Sequence, residues 1–369
     1  LNTQAMKHIT FLFLVLLLSY DNSAQCPSRS SGDLRFSSQN QIDSFIVRWP
    51  DCQLLKNAII IEQDTSKQSQ TITNLAGLSR IVSIQGDLVI RNCDSLKAFD
   101  DMRFLKVVLG DVVFSNNPHL SDVSSIVRPT CNTLTIEKCP NLKSLDFHFG
   151  VFAQEVKITG PNKVEYLTLS GNHGNLGVTI ENLDHLRKVT FSNNSYTNII
   201  IRNSALDSIQ VLNNGPQKVK NFIVTNCTEL SHIDTFSNLR IVEESFHFDA
   251  SRNLNLDWLP NLISANSFIL SNSESISSLN PLRSLEVNQF LCVGQCPNLV
   301  DISGLATTVD VSENIWLINN PRLDECSILC SRITKGQLTR VDQNDVNCSD
   351  IHEIRERCII NSNEKNLFE

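Results

Sequence analysis

Residues 72–99 read ITNLAGLSRIVSIQGDLVIRNCDSLKAF. Within them Leu88-Val89-Ile90 is an apolar, any, apolar triplet, followed by Arg91, Asn92 and Cys93 and then by Leu96. The phrase returns as Val112-Val113-Phe114-Ser115-Asn116 to Leu120, as Leu134-Thr135-Ile136 to Leu142, and as Phe222-Ile223-Val224-Thr225-Asn226-Cys227 to Leu230. With the first apolar residue as anchor, the series runs Leu88, Val112, Leu134, Val156, Val178, Ile199, Phe222, Phe246, Phe268, Leu291 and Ile315, at spacings of 21 to 24 residues. Self-similarity at this period marks a solenoid. A degenerate earlier coil at Ile59-Ile60-Ile61 puts the start of the array near residue 53.

In each coil the triplet predicts a short strand, with the anchor and the residue two later turned inward and the residue between them outward. The crossing that follows, as in Ile72, Leu75, Leu78, Ile81 and Ile84, has only about a dozen residues, rich in Ser, Asn and Gly. That composition favours loose coil or short strands over a regular helix. No coil can bury its apolar stripe alone, so neighbours must stack and share one core. The fold expected is mainly β, a single solenoid of about 11–12 coils with a period of about 22–24 residues.

The 369 residues are 41% hydrophobic and 19% charged, with a formal net charge of −8. An acidic balance argues against nucleic acid as a partner, since phosphate-backbone binding rests on clustered Lys and Arg. Met6-Lys7-His8, the apolar run from Ile9 to Leu18 and Ser23-Ala24 have the layout of a signal peptide over residues 1–24, with residues 1–5 upstream of the start. The run is too short to span a membrane. A secreted or cell-surface location is the expectation.

Twelve cysteines in an exported chain invite a disulfide framework. Cys93, Cys139, Cys227 and Cys296, however, all fall five residues after an anchor, where other coils carry Asn117, Asn320 or a small residue. Their coils are never adjacent, which leaves the α-carbons farther apart than the roughly 7 Å a bridge allows. They read as buried thiols, and the same distance rules them out as a metal site. Cys26 and Cys52 enclose an N-terminal cap (25–52) with a short strand from Asp33 to Phe36 and a helix opened by Ser38, with Gln41 as its capping-box partner. Ile42, Phe45, Ile46 and Trp49 lie at helical spacing and would cover the first coil. The solenoid occupies 53–325. Cys326, Cys330, Cys348 and Cys358 form a C-terminal cap (326–358) ahead of a tail (359–369). Pairing Cys326 with Cys348 and Cys330 with Cys358 is the simplest of three connectivities. Cys131 and Cys292 have no evident partner.

The repeat over 72–99 resembles the receptor L-domain form of the leucine-rich repeat. The end segments, CPSRSSGDLRFSSQNQIDSFIVRWPDC and INNPRLDECSILC with VNCSDIHEIRERC, are similar to the caps of secreted leucine-rich repeat proteins of Bacteroidetes-type bacteria. The resemblance covers roughly residues 26–358 and is weakest over 155–214. It implies a right-handed solenoid and a recognition scaffold without catalysis or cofactor, whose partner is an extracellular protein or a surface glycan. The other class it permits is a structural surface protein or a receptor-ectodomain fragment with no ligand of its own.

Catalytic motifs are weak. The glycine-rich stretch 171–177 lacks the Lys and following helix of a phosphate loop and reads as a turn. His247 and Asp249, two apart on one strand, could act as base and acid, but such a pair is far more often plain surface. Residues one and three after each anchor should line the exposed strand face: Val89 and Arg91, Thr135 and Glu137, Thr179 and Glu181, Ile200 and Arg202, His247 and Asp249, Trp316 and Ile318. Arg91, Glu137, Glu181, Arg202, His247, Asp249 and Trp316 are the ligand-binding candidates. Trp316 is the strongest, because aromatic residues anchor interfaces. Asn193, Asn226 and Asn347 are Asn-x-Ser/Thr acceptors, the first two expected at an inward turn position.

Overall fold

The computed structural model describes residues 26–64, 71–123, 130–143, 145–147, 152–169, 176–192, 195–249, 254–305, 314–330 and 339–365. It is a β-solenoid of about 11 turns. The recurring triplet builds the long ladder of a parallel 17-stranded sheet. Its long ladder starts at Leu34–Phe36 and passes through Ile59–Glu62, Leu88–Arg91, Val112–Ser115 and Thr130–Glu137. From there every coil to Asn314–Ile318 adds a strand, and Thr339–Asp342 closes the row.

Register is constant at the anchor triplets, the shifts lying ahead of them, as between Val219 and Asn221 and between Ala265 and Ser267. The anchors form one inward column, in which Leu88 faces Val112, Val112 faces Leu134 and Phe222 faces Phe246. The residues two later form a second inward column, and both columns are buried from Ile59 and Ile61 to Ile315 and Leu317. In the C-terminal half the anchor column is aromatic. Phe222, Phe246 and Phe268 stack on one another at centroid distances of 5.5 and 4.8 Å, and Phe236 and Trp258 fill in behind them. A parallel ladder repeats identical side-chain positions every 4.7–4.9 Å, so equal residues in register can stack face to face.

Of the two forms expected for the crossings, loose coil or short strands, many take the short strand. Short strands Leu54–Leu55, Ser83–Ile84 and Val107–Val108 make a side ladder that joins the long one at Thr130. On another side Leu145–Phe147, Tyr166–Leu169, Lys188–Phe191, Ser208–Val211 and His232–Ile233 form a separate five-stranded parallel sheet. Nearer the ends, single 3-10 turns such as Ala76–Leu78, Asp100–Met102 and Asn280–Leu282 take over.

One residue per coil makes the turn out of the strand. The residue four after the anchor has positive φ in coil after coil: Asn92, Asn116, Lys138, Gly160, Asn182, Asn203, Asn226, Asn272, Gln295 and Asn319. Asn tolerates this left-handed conformation better than most side chains. Its amide is also used: Asn116 donates to Asn92, and Asn226 to Asn203, at 2.7 and 2.8 Å. The next position is exposed at Pro161 and apolar at Leu183, but in most coils it is buried and holds a polar group or thiol in one of two ways. Cys93, Cys139, Cys227, Cys296, Ser204 and Ser273 each donate to the carbonyl two residues earlier. Asn117 and Asn320 reach back instead, donating to Ile90 and Val293 of the preceding coil and accepting from the backbone N–H of Cys93 and Cys296.

The ends are sealed. The helix Gln39–Arg48 places Ile42 and Phe45 over the first coil, Phe45 meeting Phe36 edge to face at 5.7 Å. It packs so closely on Ala76–Leu78 that a β-carbon at Gly77 would lie 1.8 Å from the Ile42 carbonyl oxygen. Its capping differs from the expected box. Ser38 makes no side-chain cap bond, and Gln41 accepts from the Ser37 backbone N–H at 2.6 Å, one residue before the expected site. Cys26 is bonded to Cys52, Cys326 to Cys348 and Cys330 to Cys358. Of the last two, Cys330–Cys358 ties the helix Ile351–Lys365, with Ile354 buried, to the end of the array, and Cys326–Cys348 ties down the 3-10 turn Val346–Cys348 before it.

Candidate functional site

Two outward columns lie between and beside the buried ones. The column one after the anchors runs Arg35, Ile60, Val89, Val113, Thr135, Lys157, Thr179, Ile200, Ile223, His247, Ile269, Cys292, Trp316 and Arg340. From Ile60 to Trp316 every member is half-buried, because neighbours on both sides shield its flanks. The column three after the anchors carries most of the charge: Glu62, Arg91, Glu137, Glu181, Arg202 and Asp249.

The parallel register brings these charges together. Arg91 pairs with Glu62 at 2.7 Å and Arg202 with Glu181 at 2.8 Å, each across one strand spacing. Glu137 accepts from Ser115 at 2.6 Å. The hydrogen bond from Arg91 holds the Glu62 carboxyl below its ordinary pKa. Of the candidate residues, Arg91, Glu137, Glu181 and Arg202 are therefore held by neighbours on the same face, which fixes their geometry.

His247 and Asp249 project from one strand into half-buried surroundings. Burial pushes the His247 imidazole below its usual range, against the pull of Asp249, and pushes the Asp249 carboxyl up, against hydrogen bonding from Asn272. Both shifts favour the neutral forms. Among the described residues no group of three or more His, Cys, Asp or Glu is placed to hold a metal ion.

Trp316 closes the face. It meets Phe290 edge to face at 5.1 Å, and the Arg340 guanidinium sits 5.7 Å from its ring centre. Neither neighbour is among the candidates read from sequence. Phe290 precedes its anchor by one residue and pairs with Asn314. Arg340 belongs to a last strand whose anchor is Thr339, a polar residue that hides the repeat. Counting one more period of 24 residues from Ile315 would have found it.

The six free cysteines are Cys93, Cys131, Cys139, Cys227, Cys292 and Cys296. Burial raises the thiols of Cys93 and Cys131 to about 12 and those of Cys227 and Cys296 to about 11. Cys292 alone is half-buried, and it lies on the strand face between Ile269 and Trp316. Asn226 departs from the inward position expected of it: it is exposed at the left-handed turn, with its amide in the asparagine row. Asn193 and most of the glycine-rich stretch 171–177 lie outside the described residues.

No family model, no curated protein and no solved structure matches this chain.

Proposed function

We propose that the chain is a non-catalytic recognition scaffold of receptor L-domain type, working outside the cell or at its surface, that binds a protein or a glycan through the outward face of its long sheet. The supporting observation is the face itself. Its side chains stand in register on a continuous parallel sheet, with charges paired and an aromatic pair at one end. A surface ordered before binding loses little entropy on association. Three disulfides suit an oxidising compartment. No helix among the described residues is long and apolar enough to cross a membrane.

The test compares faces. Trp316→Ala, and separately Arg91→Glu with Arg202→Glu, should weaken capture of ligand from native surface material while leaving the melting temperature nearly unchanged. Substitution of Lys97 and Arg283, on the crossings, should leave capture intact. Silent strand-face variants, with loss confined to Lys97 and Arg283, would defeat the proposal.

A further inference from the structure

Arg340 differs from every other cation in the outward columns. Arg35 pairs with Asp33 at 3.7 Å, Arg91 with Glu62 at 2.7 Å, Lys157 with Glu155 at 3.0 Å and Arg202 with Glu181 at 2.8 Å. Arg340 has no carboxylate within ion-pair distance among the described residues, and its one side-chain neighbour of note is the Trp316 ring at 5.7 Å. A guanidinium beside an indole is attracted to the ring while its N–H donors stay available at the edge.

The surroundings are apolar. Ile269, Cys292 and Trp316 follow one another in one outward column, Ile318 stands in the other, and Phe290 flanks Trp316. All five are half-buried. Between Ser271 and Ile318 the outward position is Gly294, which has no side chain to present. A hydroxyl-rich ligand needs polar side chains to receive it, and here the polar groups, Ser271, Asn314 and Asp342, stand only at the rim. An apolar floor with one cation that has no ion pair among the described residues suits a different ligand.

We infer that the Trp316–Arg340 end of the strand face is a subsite for an acidic segment of a protein partner, in which an Asp or Glu carboxylate pairs with Arg340 and an adjacent apolar side chain lies over Phe290, Trp316 and Ile318. This rests on the strand face being the binding surface and narrows what binds there. The carboxylate accepts from the planar guanidinium fork, an arrangement an ammonium cannot reproduce. An isolated Arg on an otherwise acidic protein gives short-range selection in place of long-range attraction, so the contact decides which sequence binds more than how fast it arrives.

The probe is a display library of random twelve-residue peptides selected on the full disulfide-bonded chain. Enriched peptides should carry Asp or Glu within two residues of Leu, Ile, Val or Phe, and should bind Arg340→Gln at least about tenfold more weakly. Selection repeated on Arg340→Glu should replace the acid by Lys or Arg. Arg340 is exposed, and the unchanged melting curve of each variant serves as the folding control. Peptides that lack an acid, or that bind wild type and Arg340→Gln equally, would overturn the subsite. If such peptides are displaced by Ile200→Asp, the strand face stands and only this subsite falls. If Ile200→Asp and Trp316→Ala are also silent, the strand-face reading falls with it. Arg340-dependent binding of polygalacturonate oligomers in place of peptides would overturn the assignment to protein.

Discussion

At the scale of single residues the solenoid depends on two adjacent positions after each strand. The first takes a left-handed backbone, and the second, in most coils, puts a small donor or an asparagine into a buried turn. Asn203 does the first while accepting from Asn226 at 2.8 Å and donating to Asn182 at 3.2 Å. Asn203→Ala should therefore cost about 1–2 kcal/mol in denaturant unfolding, from the left-handed backbone alone. Asn203→Gly, which relieves the backbone but not the amide row, should cost less; equal losses would assign the position to the amide row. At the second position Cys227 and Ser204 do the same work, each donating to the carbonyl two residues back. The thiols are structural on this account. With pKa values near 11 to 12, Cys93, Cys227 and Cys296 hold almost no thiolate at neutral pH. Alkylation followed by mass mapping should modify Cys292 first and reach Cys93, Cys139, Cys227 and Cys296 only on denaturation. Early modification of any of those four would contradict the burial.

At the scale of elements much was legible in the sequence, because strand and core share one signal. Anchors such as Leu88 and Phe246 are apolar on account of the inward column, and the alternation at Val89 or His247 marks the outward one. The crossings were less legible. Residues like Tyr166 to Leu169 alternate over only four positions and are held as a strand by pairing with Leu145–Phe147 and Lys188–Phe191 on either side. Such pairing is a property of stacked neighbours and leaves little mark on one coil. The N-terminal helix was readable from Ile42 and Phe45, whereas the shift of the Gln41 bond to Ser37 depends on the backbone at Ser38 and has no sequence signal. Removing the N-terminal bridge tests how far the cap depends on covalent closure. Cys26→Ser with Cys52→Ser opens a loop of sequence separation 26, for a loss of about 3 kcal/mol. Limited proteolysis should then begin at the N-terminal end, over Phe36, Ile42 and Phe45. A melting temperature and cleavage pattern equal to wild type would show that packing alone holds the cap.

At the scale of the whole molecule the long sheet turns a short repeated phrase into an extended surface. The outward columns were predictable from period and alternation, so Arg91, Arg202, His247 and Trp316 could be assigned to one face. Glu181, the partner of Arg202, was legible on the same grounds, whereas Glu62, Phe290 and Arg340 were not, because they belong to coils or positions that depart from the repeat. Glu62 follows the degenerate coil, Phe290 precedes its anchor, and Arg340 lies in a strand anchored by Thr339. Pairing across neighbouring strands lets the face carry charge: opposite charges meet in adjacent coils, as at Arg202 and Glu181. Recognition through this face, as proposed, can be read out by crosslinking. A photoreactive p-benzoylphenylalanine placed singly at Ile200, at Trp316, at Lys97 or at Arg283 reports contact directly when the chain is irradiated with native surface material. The account predicts a crosslinked species of defined mass from Ile200 and Trp316 and none from Lys97 or Arg283. Crosslinks from Lys97 or Arg283 alone would contradict it.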